Sequence, residues 1–90
     1  MLCYFYILWS ERRSKYYIGH TCDDLPERLR RHNSDHKGFT GGVGDWTIVY
    51  TEEYLEKARA YKREREVKEW KSRRRIERLI GSAGSEHPGR

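Results

Sequence analysis

Two phenols, an arginine, a histidine and a carboxylate occur at spacings that could bring them to one place. Tyr6 lies in the run CYFYILW (3–9) and Tyr17 in YYIGH (16–20). If these runs are neighbouring antiparallel strands, Tyr6 and Tyr17 can share a face and touch. Tyr16 must then point to the other face and pack under a helix. Gly19 permits close backbone approach or ends the strand. Arg28 and His32 are four apart and share one helix face. They offer a fixed fork for negative charge and a proton carrier near neutral pH, which is what phosphate chemistry requires. Ala60, Glu64 and Val67 form a stripe on a later helix, so Glu64 interrupts an apolar face. An unpaired carboxylate there is costly and survives by binding a cation, either an arginine or a divalent metal. Each feature alone has an ordinary reading as packing or surface charge. Together they fit metal-assisted phosphodiester hydrolysis better than another reaction class.

The elements that must position these groups follow from local pattern. SERRSK (10–15) is polar and can turn, so the first two runs read as a hairpin. Asp23 or Asp24 can cap a helix over 25–34, with Pro26 in its first turn and Leu25 and Leu29 facing inward. KGFTGGVGD (37–45) is a glycine-rich loop without a nucleotide-binding P-loop pattern. Its Lys37 and Thr40 are expected to touch a nucleic-acid backbone. WTIVYTEEY (46–54) reads as a third strand. The pattern from Leu55 to about Leu79 is helical, with a break near 70–74. Three strands and two or three helices make an α/β sandwich of two or three layers. Residues 81–90 are small and polar and read as a disordered tail.

Charge narrows the partner. The net charge is +5, and residues 1–61 balance at nine basic and nine acidic groups. Residues 62–78 hold nine basic and four acidic residues, which is the whole excess. A basic helical block on a neutral body suggests a polyanion, nucleic acid first. Lys62 and Arg63 open this block and count among the substrate-binding residues. The alternative is a solvated helix face of alternating charges. No apolar run is long enough to span a membrane. The opening MLCYFYILWS lacks a basic leader and a small-residue cleavage site, so it reads as a strand. Cys3 and Cys22 have no metal-type spacing and read as reduced thiols in a cytoplasmic protein.

The motifs, taken in order, resemble the GIY-YIG nuclease family. YFYIL (4–8), YYIGHT (16–21), LPERLRRHN (25–33) and ARAYKREREVKEWKSR (58–73) carry the likeness. It is greatest to the small single-domain bacterial type, and extends to the nuclease domain of the nucleotide-excision repair incision subunit and to homing endonucleases. Tyr4 stands where the family name has glycine. The resemblance implies an α/β domain over 1–80, a small three-stranded antiparallel sheet flanked by helices. It implies a Mg²⁺- or Mn²⁺-dependent endonuclease acting on DNA, structure-selective or repair-associated, and open to recruitment by a partner protein. A monomer is one option for its assembly. Tyr6 and Tyr17 then lie on the catalytic face with Gly19 beside them. Arg28 binds the scissile phosphate, His32 hydrogen-bonds a tyrosine or the phosphate, and Glu64 holds the metal. One phenol is the general base, Tyr6 preferred. Its pKa, ordinarily about 10, must then be depressed by Arg28, the metal or Tyr17. The rival reading keeps the fold as a nucleic-acid-binding module that does not cut.

Overall fold

A computed structural model describes residues 1–34 and 36–85. Strand β1 (Cys3–Ser10) and β2 (Lys15–Thr21) form an antiparallel hairpin. Helix α1 (Leu25–His32) follows, then β3 (Thr47–Tyr54), α2 (Lys57–Trp70) and α3 (Arg73–Ser85). The sheet order is β2-β1-β3, with every pairing antiparallel. β1 is therefore central, and its alternation of aromatic and branched residues suits burial on both faces. Phe5 and Ile7 point one way, packing with Ile18, Val67 and Ile76 beneath α2 and α3. Tyr6 and Leu8 point the other way, packing with Trp46 against Leu25 and Leu29 of α1. The result is three layers, α1 and its following loop, the sheet, then α2 and α3.

Local chemistry accounts for the breaks. Asp24 caps α1 by accepting from the Glu27 amide, and Pro26 sits in the first turn. Lys71 adopts left-handed backbone (φ 48°), which ends α2 and starts the separate α3. α3 continues through Ser85, past residue 80, where the sequence suggested that order ends. Residues 86–90 of the expected tail lie outside the described residues. Among the described residues no helix is long and apolar enough to cross a membrane.

The cysteines differ from expectation. Cys3 and Cys22 are joined by a disulfide rather than standing as reduced thiols. The reason is register: Tyr4 pairs with Thr21, so the next residue outward on each strand is a cysteine. A separation of 19 residues hides that adjacency in the sequence. Tyr16 does pack on the α3 side, its ring 4.7 Å from Trp9 and 5.5 Å from the Arg73 guanidinium.

Ile7 is fully buried at the centre of β1. Ile7→Ala is expected to cost about 2–5 kcal/mol of stability, read as a lower urea midpoint at unchanged slope.

Candidate active site

The hairpin register builds the first half of the site. Tyr6 lies opposite Gly19, and Tyr17 opposite Leu8, so the two phenols are diagonal neighbours with centroids 6.3 Å apart. Tyr6 reaches outward across Gly19. A Cβ at Gly19 would sit 2.8 Å from both Cζ and Oη of Tyr6, so only glycine leaves room for that ring. Helix α1 then brings His32 over the pair. Its Nε2 lies 2.8 Å from Tyr6 Oη, and its ring centroid is 4.7 Å from that of Tyr17.

The loop after α1 completes this half. Thr40 Oγ1 lies 2.8 Å from His32 Nδ1 and 3.1 Å from His36 Nε2. The Gly38 amide donates to His36 Nδ1 at 2.9 Å. A backbone N–H only donates, so His36 carries its proton on Nε2 and gives it to Thr40 Oγ1 and the His32 carbonyl. The Thr40 hydroxyl then donates to His32 Nδ1, which leaves Nε2–H of His32 donating to Tyr6 Oη. The opposite tautomer would leave a buried Thr40 hydroxyl proton without an acceptor among the described residues. Tyr6 therefore accepts from His32, and its own proton is free to point into the site. Gly41 packs so tightly on His36 that a Cβ there would strike the His36 carbonyl. Asn33 pins the far end of the loop by bonding both the amide and the carbonyl of Trp46.

Thr40 is thus a positioning residue, not the substrate contact that the loop sequence suggested. It is 1 % exposed, with its hydroxyl turned inward. Lys37 is exposed. Arg63 also departs from expectation. It is tied to Glu52 at 3.0 Å and to Glu66 at 2.5 Å, on the β3 side of the sheet. Glu52 is raised by burial but held lower overall by hydrogen bonds from Tyr50, Tyr54 and Arg63. This cluster is structural, and Arg63 has no free fork for substrate. Lys62, next to it, is exposed.

Arg28 stands against the phenols. Its Nε is buried without a hydrogen-bond partner among the described residues. The guanidinium is close enough to Tyr6 to favour a phenolate, although no hydrogen bond of good geometry joins them. Burial outweighs that help, and the Tyr17 and Glu64 charges oppose it too, so Tyr6 is pushed up to about 12. Tyr17 therefore works against ionisation of Tyr6, contrary to the expectation that it could assist. His32 is held at about 4, by burial first and then by Arg28 and His36, so its imidazole is neutral at pH 7.

Glu64 comes from the opposite face. Ala60 and Val67 beside it are fully buried, and its side chain is 13 % exposed. Oε1 meets His20 Nδ1 at 2.5 Å and Oε2 meets Lys68 Nζ at 2.6 Å. The carboxylate on the apolar stripe is thus partnered by Lys68 and His20. The sequence did not reveal His20 as this partner, although alternation along β2 places it on the α2 face, one residue from Gly19. The charge of Glu64 also acts on Tyr6, as the smallest of the influences that raise it. Among the described residues no group of three or more His, Cys, Asp or Glu forms a ligand cluster. What a divalent cation would find here is the single Glu64 carboxylate, whose two oxygens are engaged by His20 and Lys68, with water and phosphate oxygens for the rest.

Residues 2–77 match the GIY-YIG catalytic domain. The chain belongs to the GIY-YIG family. It is also similar to the UPF0213 protein BH0048 from Bacillus halodurans, known from a solution NMR structure. The two share 33% identity and a TM-score of 0.59, over 96% of this chain and 89% of that one. No curated protein matches. Family membership marks the domain as a nuclease-type hydrolase and agrees with the three-stranded sheet and three helices observed.

Two measurements test the geometry. The unfolded chain protonates His32 below about pH 6.5, whereas the folded chain does so only below about 4. The stability tied to neutral His32 is whole above pH 6.5 and falls as pH drops towards 4, by about 1.4 kcal/mol per unit. Denaturation at pH 7 and pH 5 should show this fall, and His32→Gln should flatten it. Thr40→Val removes the donor to Nδ1 and offers no acceptor in its place, so the His32 Nδ1 nitrogen NMR shift should move towards that of an unbonded imidazole nitrogen while Nε2 keeps the proton.

Proposed function

We propose that this domain hydrolyses DNA phosphodiester bonds with help from Mg²⁺ or Mn²⁺, at the cluster of Tyr6, Tyr17, Arg28, His32 and Glu64. The observation that carries the reading is the cationic Arg28 fork, with an unpartnered Nε, set beside two phenols and a neutral imidazole. Such a fork suits a phosphate oxygen, whose growing charge it offsets as the bond breaks. Water attacks phosphorus, and Tyr6 takes its proton once the phenol is ionised. His32 Nε2–H and Arg28 steady that phenolate, while Tyr17 orients the water or the phosphate. A divalent cation on Glu64 would stabilise the leaving oxygen and cancel the charge that opposes Tyr6 ionisation. Lys68 and His20 must yield a carboxylate oxygen for this, so cation binding competes with two existing contacts.

DNA as substrate is supported by the exposed Lys62, Lys71, Arg74 and Arg78 of the basic block, and by Lys37 on the loop. These supply backbone attraction that weakens with salt. Selectivity for particular DNA structures, a role in repair and recruitment by a protein partner extend the same proposal. The closure of both Glu64 oxygens by Lys68 and His20 favours one rival, a DNA-binding module that does not cut.

Purified protein with supercoiled, single-stranded and branched DNA, in Mg²⁺ or Mn²⁺, separates these readings. Arg28→Ala and Glu64→Gln should each lower the cleavage rate by about 100-fold or more. Tyr17→Phe should also lower it, while Tyr16→Phe should alter stability alone. Equal cleavage by the wild type and both site variants would sink the assigned site. Salt-sensitive binding without cleavage would establish the binding module.

A further inference from the structure

β2 is an edge strand, and among the described residues no strand lies beside its outer backbone. A cleft of about 380 Å³ runs along this edge. Tyr17, Phe39, Val67 and Ile76 give it apolar walls, and Lys68 and Lys71 supply cations. Phe39 is 50% exposed, an unusual state for a large aromatic side chain beside an apolar cleft. Its ring lies near-parallel to Tyr17, with centroids 6.0 Å apart and planes 29° apart. Its place is fixed from the hairpin turn. One Arg13 guanidinium donates to the Phe39 carbonyl at 2.9 Å and to the Gly41 carbonyl at 3.0 Å.

We propose that this cleft receives an unpaired nucleobase next to the scissile phosphate, stacked on Phe39, so that the preferred substrate is DNA with a single-stranded or extruded nucleotide. The inference rests on the nuclease reading for its phosphate, but not for its base. Bases in a duplex have both faces covered by neighbours, whereas an unpaired base offers its π-face to an aromatic wall. Tyr17 belongs to both the cleft and the phenol pair, so a base in the cleft lies beside the proposed phosphate site. Lys68 and Lys71 match the charge of the flanking phosphates. A π-face between cations on a groove beside a phosphate site suits a nucleotide better than an apolar peptide, which needs no lysines.

The test uses short duplexes with 2-aminopurine at one position, either fully paired or bulged and unpaired, and EDTA to prevent cutting. The unpaired DNA should bind about tenfold tighter, with its 2-aminopurine fluorescence changed on binding. Phe39→Ala should remove that preference and that change, and Phe39→Tyr should keep both. Phe39→Leu retains apolar bulk without an aromatic face, so it should behave like Phe39→Ala in a folded protein. Equal affinity for the two DNAs, or an equal loss for both in Phe39→Ala and Phe39→Leu, would overturn the proposal. Preferential binding without cleavage in Mg²⁺ or Mn²⁺ would support the cleft while removing the nuclease reading. Cleavage without preference would do the reverse.

Discussion

The hydrogen bond between Tyr6 and His32 is the contact on which the rest of the site depends. It joins the central strand to the last turn of α1 in a buried place, where low dielectric strengthens each hydrogen bond and makes an unpaired group costly. Once His32 Nε2 is committed to Tyr6, Nδ1 needs its own partner. Thr40 meets that need, and His36 and the Gly38 amide fix the direction of the Thr40 hydroxyl. The glycine-rich loop is therefore more than a connection. It is folded tightly round His36 so that one hydroxyl reaches one imidazole nitrogen.

The sheet divides the charges of the site between two faces. The phenols, Arg28 and His32 lie on the α1 side, and Glu64 with His20 and Lys68 on the α2 side. Three strands make a narrow wall, and Gly19 on its unpaired edge adds no side chain to widen it. Glu64 therefore acts on Tyr6 by charge and not by contact. Burial dominates the ionisation of Tyr6 because its side chain is almost wholly enclosed, and Arg28 on the same face offsets only part of that cost.

The parts of this arrangement that follow a period were legible in the sequence. Alternation in YFYIL and YYIGH separated Tyr17 from Tyr16, and the spacing of four put Arg28 and His32 together. The stripe of Ala60, Glu64 and Val67 marked the carboxylate. Parts that depend on irregular backbone were not legible. Thr40 reads as a loop residue fit to touch DNA, and only the path of the loop turns its hydroxyl inward. Arg63 reads as free charge until β3 supplies Glu52. The pairing of Cys3 with Cys22 needed the exact hairpin register, and the His20–Glu64 contact needed the docking of α2 on β2.

The chain order of the elements has a consequence for biosynthesis. The segment that ends at His32 contains both phenols, the guanidinium and the imidazole, but its central strand β1 also pairs with β3 and packs under α2. Glu64 arrives later, after β3 has added to the far side of β1. A nascent chain that has reached the end of β3 can thus hold the phenolic and cationic half of the centre, with Thr40 and Trp46 in place, while its carboxylate is still undocked. The centre is complete only when α2 has closed over the finished sheet, so a partly translated or C-terminally clipped chain holds the phenols and Arg28 without the carboxylate on which the proposed cation would sit.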